Sequence, residues 1–96
     1  ELFYFSDFPA NYYLSSIFPN PFNSATKISF IIPESERVQI SVFNTLGRRL
    51  KVLLDSEMDS GEHSIYWNPT NYASGIYIIH FQTNEFTMTQ KVVLLK

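Results

Sequence analysis

The sequence predicts an all-β sandwich of six to seven antiparallel strands in Greek-key order. Three observations predict it. Apolar and polar residues alternate in several short runs, as where Ile28, Phe30 and Ile32 oppose Lys27 and Ser29, which is the period-two mark of a half-buried strand. Clusters of Gly, Pro, Asn and Asp punctuate these runs at short intervals, the spacing of strands in a sandwich or barrel. No segment sustains a 3.6-residue period; residues 52–54 followed by 56–58 offer one helical turn at most.

The elements follow in order. Pro19-Asn20-Pro21-Phe22-Asn23 opens the domain. Each proline fixes φ and removes a backbone donor, and each biases the residue before it, Phe18 or Asn20, toward extended backbone. This stiff lead-in cannot lie inside a sheet, and it reads equally as a rigid spacer and as a contact surface. Thr26–Ile32 is the first clear strand, stopped by Pro33. Residues 37–43 alternate again with Val38, Ile40 and Val42 inward, and Asn44-Thr45-Leu46-Gly47 reads as a tight turn in which Gly47 takes positive φ. Residues 48–54 form a more exposed strand and residues 55–61 a polar loop. Residues 62–67 place His63, Ile65 and Trp67 on one face, and Pro69 lies in the loop that follows. Gly75–Gln82 puts Tyr77, Ile79 and Phe81 on one face; Thr83-Asn84-Glu85 is a hairpin turn, and residues 86–95 are the last strand. Residues 12–18 add a seventh strand if they pair. The expected core is Ile28, Phe30, Val38, Ile40, Val42, Trp67, Tyr77, Ile79 and Phe81, with Trp67 as its central plug. Strands of this number and length fit an immunoglobulin-like sandwich.

Composition agrees. A chain of 96 residues buries only roughly two-thirds of its unfolded surface, so its core must be efficient. Nine Phe, six Tyr and one Trp supply large apolar area from few residues. No cysteine is present, which excludes disulfide frameworks and thiolate metal sites. The net charge is −2 and the linear sequence shows no basic stripe, so nucleic acid is not an expected partner. The chain begins at Glu1 with no basic-then-apolar signal segment and is expected to be part of a longer protein. Residues 1–10 are expected to be a linker or the end of an upstream region, and 11–96 the domain. Phe3, Tyr4, Phe5, Phe8, Tyr12 and Tyr13 are too aromatic for a solvated linker, so they add a strand or pack on a neighbouring domain.

Chemistry is sparse. His63 and His80 are the only histidines, and neither has a second ligand at a suitable spacing on its own face; His63 reads as a half-buried strand histidine. Asp55, Glu57 and Asp59 cluster, but a calcium loop also needs a glycine-turned backbone closing on a bidentate acid, so a solvated acidic loop is expected. No nucleophile elbow is present. The sequence therefore predicts no enzyme, no cofactor and no small-molecule substrate. Tyr66 and Tyr72, if exposed, offer a stacking platform for sugars, the mark of an alternative: a carbohydrate-binding or adhesive accessory module of a secreted enzyme.

The motifs, taken together, resemble the C-terminal sorting domain of type IX (Por) secretion cargo. They are Tyr13-Leu14, Phe18 to Asn23, Thr26 to Phe30, Val42 to Gly47, Gly61-Glu62-His63 ahead of Trp67, Ala73-Ser74-Gly75-Ile76-Tyr77, and Lys91 to Lys96. The match runs from about residue 11 to 96. It departs mildly: Phe18 stands where tyrosine is usual, Ser24-Ala25 where a proline often follows, and Arg48-Arg49 is more basic than common. The resemblance implies an immunoglobulin-like tail that acts as an address for an upstream cargo domain. It implies passage through the periplasm, recognition by the outer-membrane translocon, removal by sortase components, and display at the cell surface. The sorting-motif candidates it implies are Pro19, Asn20, Pro21, Phe22, Asn23, Gly47, Gly61, Gly75, Tyr77, Lys91 and Lys96. Of these the glycines and Tyr77 also read as turn and corner residues. The last strand is the favoured recognition element, since an exposed edge pairs with a partner strand and Lys91 and Lys96 add charge for docking.

Overall fold

Alternating side chains need two apolar faces packed together, and the chain provides them as two sheets. The computed structural model describes residues 13–96. Their strands are β1 (Tyr13–Phe18), β2 (Thr26–Ile32), β3 (Glu36–Phe43), β4 (Arg49–Met58), β5 (Gly61–Trp67), β6 (Gly75–Gln82) and β7 (Thr87–Leu94), with no helix among the described residues. One sheet has the order β1-β2-β5 and the other β4-β3-β6-β7, and all pairings between these strands are antiparallel. The chain changes sheet between β2 and β3, β4 and β5, and β5 and β6. This is the predicted sandwich, with β1 as its seventh strand.

The inner faces meet through Ile28, Phe30 and Ile32 of β2, Trp67 of β5, and Val38, Ile40, Val42, Ile79, Phe81, Val92 and Leu94 of the larger sheet, all buried. Phe30 and Phe81 bridge the two sheets at 5.4 Å between ring centroids. Tyr77 is the one predicted core residue that is only half-buried. Its hydroxyl donates to the Ala73 carbonyl at 2.6 Å, four residues upstream, as a tyrosine corner does at a crossover between sheets. Tyr77→Phe is expected to lower stability by about 1 kcal/mol, since the ring packing stays and one hydrogen bond is lost. Chemical denaturation checks this: the midpoint should fall with the slope unchanged, and an unmoved midpoint would remove the corner from the fold's stabilisation.

Two local expectations are corrected. Residues 55–61 are not all loop: β4 continues to Met58, with Gln39 opposite Asp55, Arg37 opposite Glu57 and Glu36 opposite Met58. Residues 52–54 and 56–58 are therefore strand and not a helical turn. Leu54, Ser56 and Met58 are half-buried while Asp55 and Glu57 are exposed; a serine at the inward position hides the alternation. Arg37 Nε donates to Asp55 Oδ1 at 2.8 Å, and this hydrogen bond holds the Asp55 carboxyl below its ordinary range. Its folded pKa is depressed, so the pair stabilises above the unfolded pKa and is lost as pH falls through the folded one. Both groups are exposed, so the effect is small.

The turn after β3 is as predicted. The Asn44 side-chain oxygen accepts from the Leu46 and Arg48 N–H groups at 2.9 and 3.0 Å, and Gly47 N–H donates to the Asn44 carbonyl at 3.1 Å. Gly47 has φ of 85°, which a residue with a Cβ adopts only at a cost.

The registers define two poles. At one, β2 and β6 begin and β1, β3, β5 and β7 end; at the other, β1 begins beside the end of β2. The chain upstream of Tyr13 thus joins the fold at the second pole.

Candidate functional site

At the first pole the proline lead-in lies along the outer edge of β7. Proline cannot donate to a ladder, so an edge is where such a segment fits. Asn20, between the prolines, makes the edge contacts with its side chain: its Nδ2 donates to the Lys91 carbonyl at 3.1 Å and its Oδ1 accepts from the Val93 N–H at 3.0 Å. Phe22 continues with its backbone, donating to the Val93 carbonyl at 3.0 Å and accepting from Leu95 N–H at 2.8 Å, in a parallel bridge to Leu94. The Phe18–Pro19 and Asn20–Pro21 peptide bonds are both cis. The Pro19 carbonyl accepts from the buried Thr26 hydroxyl at 2.7 Å, which ties the lead-in to the start of β2. Together these contacts clasp the terminal strand.

Below the clasp is an aromatic cluster. Phe22 is buried against Trp67 at 5.5 Å, and Trp67 meets Tyr72 and Tyr77 at 5.6 Å each, edge to face. The chain's last residue is held from the β5–β6 loop: Lys96 N–H donates to Ser74 Oγ at 2.8 Å, and Lys96 Nζ donates to the Thr70 carbonyl at 3.2 Å. Three stretches far apart in sequence therefore converge: Pro19 to Phe22, Ala73 to Tyr77, and Lys91 to Lys96.

Not every candidate belongs there. Pro21, Asn23 and Lys91 are exposed at the clasp, and Gly75 begins β6 beside Leu94. Gly47 lies at the same pole but in the β3–β4 turn. Gly61, with φ of 120°, begins β5 at the opposite pole opposite Ile32. There His63 is half-buried with its ring 5.5 Å from that of Phe30, and Nε2 donates to the Asp59 carbonyl at 2.6 Å; a carbonyl only accepts, so the proton sits on Nε2. His63 is the half-buried strand histidine expected.

Two readings of the site are corrected. The edge of β7 is not open along its last residues, because Asn20 and Phe22 occupy the groups that a partner strand would use. Tyr72 is not an exposed platform: it is half-buried in the Trp67 cluster, while Tyr66, next to Trp67 on β5, stands exposed on the outer face of that strand. The sugar surface thus loses its second ring. The aromatic start at Phe3 to Phe8 lies outside the described residues.

The family model described as the secretion-system C-terminal sorting domain matches residues 16–95. The chain belongs to that family. The sorting domain is a C-terminal signal for type IX secretion, and it implies dealings with the secretion machinery, a cargo domain upstream and export to the cell surface or beyond. None of the curated proteins searched matches the chain. A sorting signal is no enzyme family, and among the described residues no group of three or more His, Cys, Asp or Glu is placed to hold a metal ion. The sequence missed how the clasp works; its only trace was a side chain able both to donate and to accept, set between two residues that cannot donate.

Proposed function

We propose that the clasped terminal strand of the sorting domain is the element read by the outer-membrane translocon while the cargo is in the periplasm, and that sortase components then remove the tail. The convergence of Pro19 to Phe22, Ala73 to Tyr77 and Lys91 to Lys96 on one pole supports this reading. A linear address would need no such assembly; a folded one presents all three at once. The clasp has no group placed for bond breaking, so its work is to hold a rigid surface. Exposed Lys91 and Lys96 supply charge to it for docking. The test is fusion of residues 11–96 to a periplasmic reporter in a host with type IX secretion. The expected result is surface display, reduced by Lys91→Glu with Lys96→Glu at little change in melting. A folded, intact fusion retained in the periplasm would overturn the export reading, and full display of the double variant would remove the lysines from the recognised surface.

A further inference from the structure

The linear sequence shows no basic stripe, but the fold makes a basic pole. Lys27, Arg48, Arg49, Lys51, Lys91 and Lys96 all lie on the half of the sandwich that carries the clasp, by the registers of β2, β4 and β7 and the position of the β3–β4 turn. The exception among the described cations, Arg37, is paired with Asp55 on the other half. The described acids take the opposite half: Glu34 and Glu36 before and at the start of β3, Asp55, Glu57 and Asp59 on and after β4, Glu62 on β5, and Glu85 in the β6–β7 turn.

Exposed apolar groups follow the cations. Leu46 at the tip of the β3–β4 turn is 91% exposed and precedes Arg48 by two residues. On the outer face of the smaller sheet, Lys27 is flanked across the strands by Phe18 and Tyr66, which are 73% and 68% exposed. On the outer face of the larger sheet, Arg49, Phe43, Ile78 and Lys91 form one cross-strand row, and Ile76 lies exposed beside Val93. Leu95 is exposed next to Lys96. Single exposed apolar side chains are ordinary on a protein surface; what sets these apart is that they share one pole with the cations.

We propose that this pole docks end-on to an anionic lipid surface, the cations meeting headgroup phosphates and Leu46, Phe18, Tyr66 and Leu95 entering the interfacial layer. The distribution decides for a membrane over an acidic protein. The apolar tips sit on both outer faces and on separate turns, each beside a cation. They encircle the pole, as contact with a surrounding medium requires, and form no single flat patch for a folded partner. Nucleic acid would use the cations and leave the leucines idle. The field of the domain favours the same pose, since its acids face away from a negative surface. β1 begins at the acidic pole, away from the proposed contact. Basic residues close to anionic lipid each strengthen binding several-fold, and salt screens that part within about 8 Å at physiological strength.

This goes beyond the export reading and is tested without any translocon. The chain is sedimented with vesicles of phosphatidylcholine alone or mixed with phosphatidylglycerol. Binding is expected only to the anionic vesicles, falling steeply with salt. Arg48→Gln with Arg49→Gln should weaken it at least about tenfold. Leu46→Ser should weaken the part that resists salt, with melting unchanged because Leu46 is 91% exposed. No binding to anionic vesicles at low salt, equal binding to both vesicle types, or variants that bind like the parent would each overturn the proposal. Loss of reporter display in the Arg48 and Arg49 variant with no vesicle binding by the parent would also overturn it, and would make an acidic protein the partner. Vesicle binding that persists where reporter export fails would count against the export reading alone.

Discussion

Trp67→Ala is expected to remove a large part of the domain's stability. Trp67 is 2% exposed, and its ring is where Phe22, Tyr72 and Tyr77 meet. Removing a buried aromatic of this size costs about 3–5 kcal/mol, the transfer term plus the cavity left behind. A domain of this length has a total stability on the order of 5–10 kcal/mol, so about a third of it or more goes. The cavity would open where the lead-in, the β5–β6 loop and β7 join, so the clasp should loosen with it. Trp67→Phe keeps most of the apolar contact and should cost clearly less. Denaturant titration of the three proteins checks the order. A loss below about 1.5 kcal/mol for Trp67→Ala would mean that the cluster collapses onto the gap and that Trp67 is not the plug of the core.

How much of this was legible in the sequence depends on range. Where a property is set by neighbours in the chain, it could be read: Thr26–Ile32 and Gly75–Gln82 have the bounds their alternation gives, and the Asn44–Gly47 turn follows from its own residues. β4 was cut short because Ser56 faces inward among apolar neighbours and broke the pattern. The exposure of Tyr72 stays open in the sequence because its burial depends on Trp67 and Tyr77, not on its loop. The clasp joins residues more than seventy positions apart, and nothing local encodes that register. Charge behaved in the same way. Arg48 and Lys91 are distant in sequence and share a pole only because antiparallel pairing folds the chain back; the family motifs gave the function without giving this surface.

The clasp makes a second large and separable prediction. Phe22→Ala should cost about 3–5 kcal/mol, because a buried ring leaves the Trp67 cluster. Asn20→Ala should cost only about 1–2 kcal/mol, since two hydrogen bonds are lost at an exposed edge where water replaces them. Amide exchange distinguishes their roles. Val93 N–H is held by the Asn20 side chain, whereas Leu95 N–H is held by the Phe22 backbone. In Asn20→Ala the Val93 amide should lose protection while Leu95 keeps it; joint loss would show that the lead-in detaches as one unit. Asn20→Asp keeps an acceptor for Val93 N–H and loses the donor to the Lys91 carbonyl, so Val93 should stay protected there. Freeing the edge also exposes unpaired backbone groups on a terminal strand, the arrangement that invites edge-to-edge pairing. Asn20→Ala should therefore associate at concentrations where the parent is monomeric. If its Val93 exchange and its association state both match the parent, the side chain of Asn20 does not guard the strand, and the edge contacts rest on Phe22 alone.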